Sequence, residues 1–147
     1  MKTSQGSMGR IFIIRLEDGD RMPAALEEFA QKNSVQRGMA ILVGGVKDGG
    51  VIVTGPWDGN VLPVDPMLHT LAGIHEIAGV GTLAPDETGA PRLHMHAVLG
   101  REGKASAGCI RPGIEIWKLG EIVLLEITGT EARRVQDRET GFSMLEP

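Results

Sequence analysis

Residues 74–99 hold two apolar runs of strand length, Ile74-His75-Glu76-Ile77-Ala78-Gly79-Val80-Gly81-Thr82-Leu83 and Leu93-His94-Met95-His96-Ala97-Val98-Leu99. The joining segment, Pro85-Asp86-Glu87-Thr88-Gly89-Ala90-Pro91, is made of turn formers. Such runs, flanked by proline, glycine and aspartate, predict an antiparallel hairpin with an exposed tip. An isolated hairpin is marginal in water, so a chain committing this much length to one has to supply further strands.

The rest of the sequence supplies them. Arg10-Ile11-Phe12-Ile13-Ile14-Arg15-Leu16 reads as a first strand before the turn Glu17-Asp18-Gly19-Asp20. A helix follows, with Pro23 in its first turn, Met22, Leu26, Phe29 and Ala30 at helical spacing, and Asn33-Ser34 at its end. Met39 to Val43 and Val51 to Val53, separated by Asp48-Gly49-Gly50, are expected to pair as a second hairpin. Gly55 to Met67, with Pro56, Pro63 and Pro66, reads as loop. The turn Arg101-Glu102-Gly103-Lys104 should fold Ala105 to Ile110 back beside the histidine run. Ile114 to Trp117 and Glu121 to Ile127 read as later strands, and Asp137, Glu139 and Thr140 as a turn before the apolar Phe142-Ser143-Met144-Leu145. The fold class is therefore α+β: a single domain over 10–147, mainly an antiparallel sheet or partial barrel flanked by one or two helices, after a flexible segment at 1–9.

Bulk properties set limits on function. A chain of 147 residues is the size of one domain. No run approaches the roughly 20 apolar residues of a bilayer-spanning helix, and Met1 to Arg10 lacks the apolar stretch of a signal peptide, so the cytoplasm is the expected location and no membrane partner is expected. The formal charge of -4 provides no footprint for nucleic-acid phosphates. The basic pair Arg133-Arg134 lies between Glu131 and Asp137. Three Phe, two Trp and no Tyr make a poor base-stacking platform.

The chemistry of the chain concentrates at His94, His96 and the single cysteine, Cys109. Residues two apart on a strand share a face at roughly 6–7 Å spacing, so both imidazoles can converge on one ion. Two imidazoles and a thiolate suit zinc or another divalent transition metal, and three protein ligands leave a fourth position open. The alternative is a half-exposed histidine pair and a small buried cysteine. Pairing about the middle of the loop sets Gly79 and Gly81 opposite His96 and His94, leaving space for an ion, whereas a slip of one residue brings Val80 and Thr82 there.

In its order of signals the chain resembles the plant and prokaryote conserved (PPC) domain family. The resemblance rests on the opening strand and helix, Gly73-Ile74-His75-Glu76-Ile77, Leu93-His94-Met95-His96, Ala107-Gly108-Cys109-Ile110 and Asp137-Arg138-Glu139-Thr140-Gly141-Phe142. Prokaryotic members commonly follow His-x-His with Gly-Gly-His-Leu, and here Cys109 replaces the third histidine. The resemblance implies a metal site at His94, His96 and Cys109, an antiparallel sheet with helices, and a homotrimer with sites near subunit boundaries. Some relatives carry a DNA-binding description, but this chain has no basic Arg-Gly-Arg hook.

Around the triad, Glu76 and His75 are weighed as proton carriers or hydrogen-bond partners of the ligands. Arg101 and Arg111 are weighed as grips for an anionic small molecule. His69, beyond the proline-rich segment, is expected at the surface. Three functions follow: a metal-dependent small-molecule binder or enzyme, a trimeric interaction domain with a structural metal, and a nucleic-acid-binding regulator.

Overall fold

The computed structural model describes Met1 to Pro147. In chain order the elements are β1 (Ser7–Glu17), β2 (Arg21–Met22), α1 (Ala24–Lys32), β3 (Gly38–Val46), β4 (Val51–Pro56), β5 (Pro66–Thr70), β6 (His75–Pro85), β7 (Pro91–Arg101), β8 (Lys104–Thr128), β9 (Arg133–Gln136) and β10 (Ser143–Glu146). β1 starts three residues before the expected Arg10, inside the segment read as preceding the domain. The three apolar segments after Lys104 form one bent strand, β8. Positive φ values at Gly113 and Lys118 (122° and 64°) turn it without ending it.

β8 organises the molecule because five of the other nine strands pair with it. Its start pairs with β7, its middle with β4 and β2, and its last part lies between β3 and β1. β3 pairs also with β6, and β6 with β7, so β3, β6, β7 and β8 close into a partial barrel. All these pairings are antiparallel. No helix is long and apolar enough to cross a membrane.

Alternation along the strands places the core. On β7, Leu93, Met95, Ala97 and Leu99 point inward and are buried, while His94, His96 and Val98 face out. α1 lays Leu26 and Ala30 against the same inner side, and the Glu27 carboxylate accepts the Leu93 N–H (2.9 Å), tying the helix to the start of β7. Leu42, Ile116, Ile122 and Leu124 complete this core.

Two local expectations fail for non-local reasons. β3 and β4 do not form a hairpin: β3 is inserted between β6 and β8, and β4 pairs with β8 and β5. Burying both edges of β3 satisfies more backbone groups than a local turn could. The expected loop, Gly55 to Met67, is trimmed at both ends: Gly55 and Pro56 finish β4, and Pro66 and Met67 begin the edge strand β5, a position that tolerates proline.

The chain end forms a separate ribbon. β9 pairs with β10, and Asp137 Oδ2 accepts the Thr140 N–H and hydroxyl in the expected turn. Phe142, Met144 and Leu145 remain exposed. The ribbon docks through Arg134, 4% exposed, whose Nη2 donates to the Thr82 carbonyl (3.0 Å) and hydroxyl (2.9 Å), while its Nε approaches the Arg92 carbonyl (3.5 Å).

Candidate metal centre

The site is assembled by one hairpin. A tight turn at Glu102-Gly103, both with positive φ (53° and 73°), folds β8 onto β7 in the register His96↔Cys109, Ala97↔Gly108 and Val98↔Ala107. Directly opposed residues share a face, so the Cys109 side chain lies beside the His96 ring. Gly108 is required at this point, because a side chain there would collide with the Val53 carbonyl of β4.

On the outer face of β7, His94 Nε2 and His96 Nε2 stand 3.2 Å apart, with ring centroids separated by 4.9 Å and planes at 86°. One ring nitrogen of each histidine and Cys109 Sγ all lie within 4.8 Å of one another. Tetrahedral zinc, with bonds near 2.0–2.1 Å to nitrogen and 2.3 Å to sulfur, separates its donors by about 3.3–3.6 Å. The imidazole nitrogens, 3.2 Å apart, stand close to that separation, and the sulfur is within 4.8 Å of them. Partial burial, first, and the nearby cations hold both imidazoles below their ordinary pKa. The cations are Arg134 and Arg111 at His94, and His94 itself and Arg111 at His96. Neutral imidazole is the metal-binding form.

β6 adopts the shifted register, with Val80 opposite His96 and Thr82 opposite His94. Gly79 and Gly81 therefore face the core and leave no space around the histidines. A Cβ on Gly81 would lie 2.7 Å from Met95 Cβ, so the glycine makes room for the buried methionine.

This register also separates the other residues weighed for the site. His75 points inward, 9% exposed, with Nδ1 3.0 Å from the Gly73 carbonyl. Glu76 shares the histidine face but lies opposite Gly100, four residues along β6 from Val80, or about 13 Å away. Arg101 is at the far end of β7, about 16 Å from His96, where it donates to the Ile74 carbonyl (2.9 Å) and pairs with Glu102 (3.1 Å). His69 is exposed, its Nε2 3.3 Å from the Ser106 hydroxyl.

Arg111 alone of that group adjoins the triad. Its Nη2 points at Cys109 Sγ (3.9 Å), and continuing the β7–β8 register by one step of side-chain parity sets it beside His94. Arg134, which sequence reasoning did not assign to the site, approaches from the opposite side through Thr82, the cross-strand partner of His94. Its signal was the Arg133-Arg134 pair: on a short strand one of two neighbours must face inward.

An antiparallel partial barrel with a His-x-His strand and a cysteine on the adjoining strand defines a single-domain, mainly β protein with a metal-type donor cluster on its outer face. The sequence profile of the Plants and Prokaryotes Conserved (PCC) domain matches residues 3–128, and the chain belongs to that family. A plant- and prokaryote-conserved protein of Pyrococcus horikoshii has the same fold, with a TM-score of 0.86 at 23% identity over 100% of this chain and 98% of that one. A metal-containing protein of Archaeoglobus fulgidus aligns with a TM-score of 0.85 at 23% identity, covering 98% of both chains. A Bacteroides thetaiotaomicron protein with a provisional DNA-binding description aligns with a TM-score of 0.73 at 18% identity, over 97% of this chain and 98% of that one. No curated protein matches the sequence.

Proposed function

We propose that this chain is a self-associating, metal-binding PPC domain whose divalent ion, zinc by donor chemistry, is held by His94, His96 and Cys109 with one coordination position open. The observation carrying this reading is the 3.2 Å approach of the two Nε2 atoms with Cys109 Sγ inside the same 4.8 Å cluster. A divalent ion there supplies Lewis acidity and a site for an exchangeable ligand. The lone cysteine suits a reducing compartment such as the cytoplasm. His75 faces away and Glu76 is too distant, which favours binding over hydrolysis. The metal-containing description of the Archaeoglobus relative agrees with this reading.

Self-association is supported by the surface beside the triad. The ladder registers align Ile13, Val123, Ile41, Val80, His96 and Cys109 across five strands on one face. Ile13 is 79% exposed, Val80 55% and Ile41 37%, an apolar row of the kind that marks an interface. Further copies of this chain fit it best, in the trimer that the family resemblance implies, because the row runs into the metal ligands and association would shelter them from water. Nucleic-acid binding has no counterpart in the net charge of -4.

The test is elemental analysis of protein purified without a metal-affinity step, beside His94→Ala and Cys109→Ser. One ion per chain in the parent and loss in both variants is expected. Equal metal content in all three overturns the ligand assignment.

A further inference from the structure

Arginines in this molecule are generally matched to carboxylates: Arg10 to Glu126, Arg15 to Glu17, Arg21 to Glu115, Arg37 to Glu131, Arg92 to Asp86 and Glu27, and Arg101 to Glu102. Arg111, Arg133, Arg134 and Arg138 have no carboxylate within 4.0 Å, and of these Arg111 and Arg134 adjoin His94, one on either side. For Arg134 this is costly, because the residue is 96% removed from solvent and only neutral oxygens, those of Thr82 and Arg92, receive its hydrogen bonds. Those bonds use Nε and Nη2. Every fully buried side-chain nitrogen has a partner, so the remaining Nη1, which donates to nothing in the chain, keeps access to the surface.

We infer that Arg111 and Arg134 form the oxyanion-binding half of this site, and that its exchangeable ligand is a small molecule carrying a carboxylate or phosphate group, gripped by the two guanidiniums over His94. The inference rests on the metal reading above, since one oxygen of the anion would take the open coordination position. Charge supports it: two guanidiniums and a divalent ion face a single thiolate, and an anionic ligand relieves that imbalance. Geometry supports it as well. Arg134 is fixed by Thr82 and is pre-ordered, whereas Arg111 is exposed, its one side-chain contact being the long approach to the Cys109 sulfur (3.9 Å), so it can close from the β8 side. Arg92, the other arginine on this face of β7, is already occupied by Asp86 (2.8 Å) and Glu27 (3.5 Å), which leaves Arg111 and Arg134, the two cations acting on His94, as the anion grip.

The experiment loads the full chain with cobalt(II) and follows its visible absorption during titration with inorganic phosphate and, separately, oxalate. A thiolate-to-cobalt charge-transfer band reports the metal, and a change in the ligand-field bands reports the anion. The expected result is an anion-dependent change in the parent that needs about tenfold or more anion in Arg111→Gln, the loss of one charge-assisted hydrogen bond. Arg134→Lys, which keeps the buried charge but not the fork, is expected to weaken anion binding while retaining the cobalt band and thermal transition. Response to oxalate alone or to phosphate alone names the group preferred. A normal cobalt band with no anion response, or equal response in parent and Arg111→Gln, overturns the inference and leaves the metal reading intact. Absence of the cobalt band overturns the metal reading. Calorimetry with phosphate then decides the arginines: heat lost in Arg111→Gln supports them as an anion site, and no heat in the parent overturns them.

Discussion

His96 and Cys109 face each other across the β7–β8 ladder, and this one register pair brings the sulfur to the imidazoles. The contact depends on the close passage of β4 behind Gly108. Gly108→Ala must push β4 away from β8, so it is expected to cost about 1–3 kcal/mol, the range for overpacking, and to lower metal content as Cys109 moves. Denaturant unfolding and elemental analysis of the same sample check both effects.

Met95 sits between the two histidines in sequence and on the opposite face, 1% exposed, against Gly79 and Gly81. Met95→Ala is expected to destabilise the fold by about 2–5 kcal/mol through the cavity it leaves. If the triad belongs to the outer face, the folded variant keeps its metal at low denaturant. Loss of metal in a variant that still unfolds cooperatively would contradict that separation of faces.

Val80 is the apolar neighbour of His96 on β6. Val80→Asp places a charge in the exposed apolar row and is expected to shift the protein to monomer in sedimentation while leaving its thermal transition within a few degrees. An unchanged mass would remove this row as the assembly face.

Acid stability should report the Arg10–Glu126 pair. Hydrogen bonds from the Arg10 side chain, then its backbone N–H, hold the Glu126 carboxyl down at about 2. Because the folded value is depressed, the stabilisation is complete above the unfolded-state value of about 4.3 and is lost as pH falls from there towards 2. Thermal melts of the parent and Glu126→Gln should therefore differ most near neutral pH and converge in acid. A gap that is constant with pH would show that the carboxylate charge is not the cause.

The two hairpins around β7 were readable from the sequence because their information is local. Alternation marked the strands, and Glu102-Gly103 and Asp86 to Gly89 marked the turns. The β6 register was not readable, since glycines occupied one parity and small or branched residues the other. The fit of Met95 against Gly81 decides it, a packing fact invisible along one strand. The same limit applies to β3, whose partners are 29 or more residues away. Arg134 is the sharpest case: the Arg133-Arg134 pair marks one arginine as inward-facing, but its role depends on a ribbon docking against Thr82, a partner 52 residues away that the pair does not name.

The short turn at Glu102-Gly103 has a further effect on how the donor set comes together. All three donor side chains reside on one continuous ribbon, 94–109, so gathering them requires closure of a small loop, with little chain entropy lost. A nascent chain that has emerged only as far as Ile110 already contains every donor, and an ion held there would act as a clasp on that ribbon before the rest of β8, which closes the barrel against β3, has been synthesised.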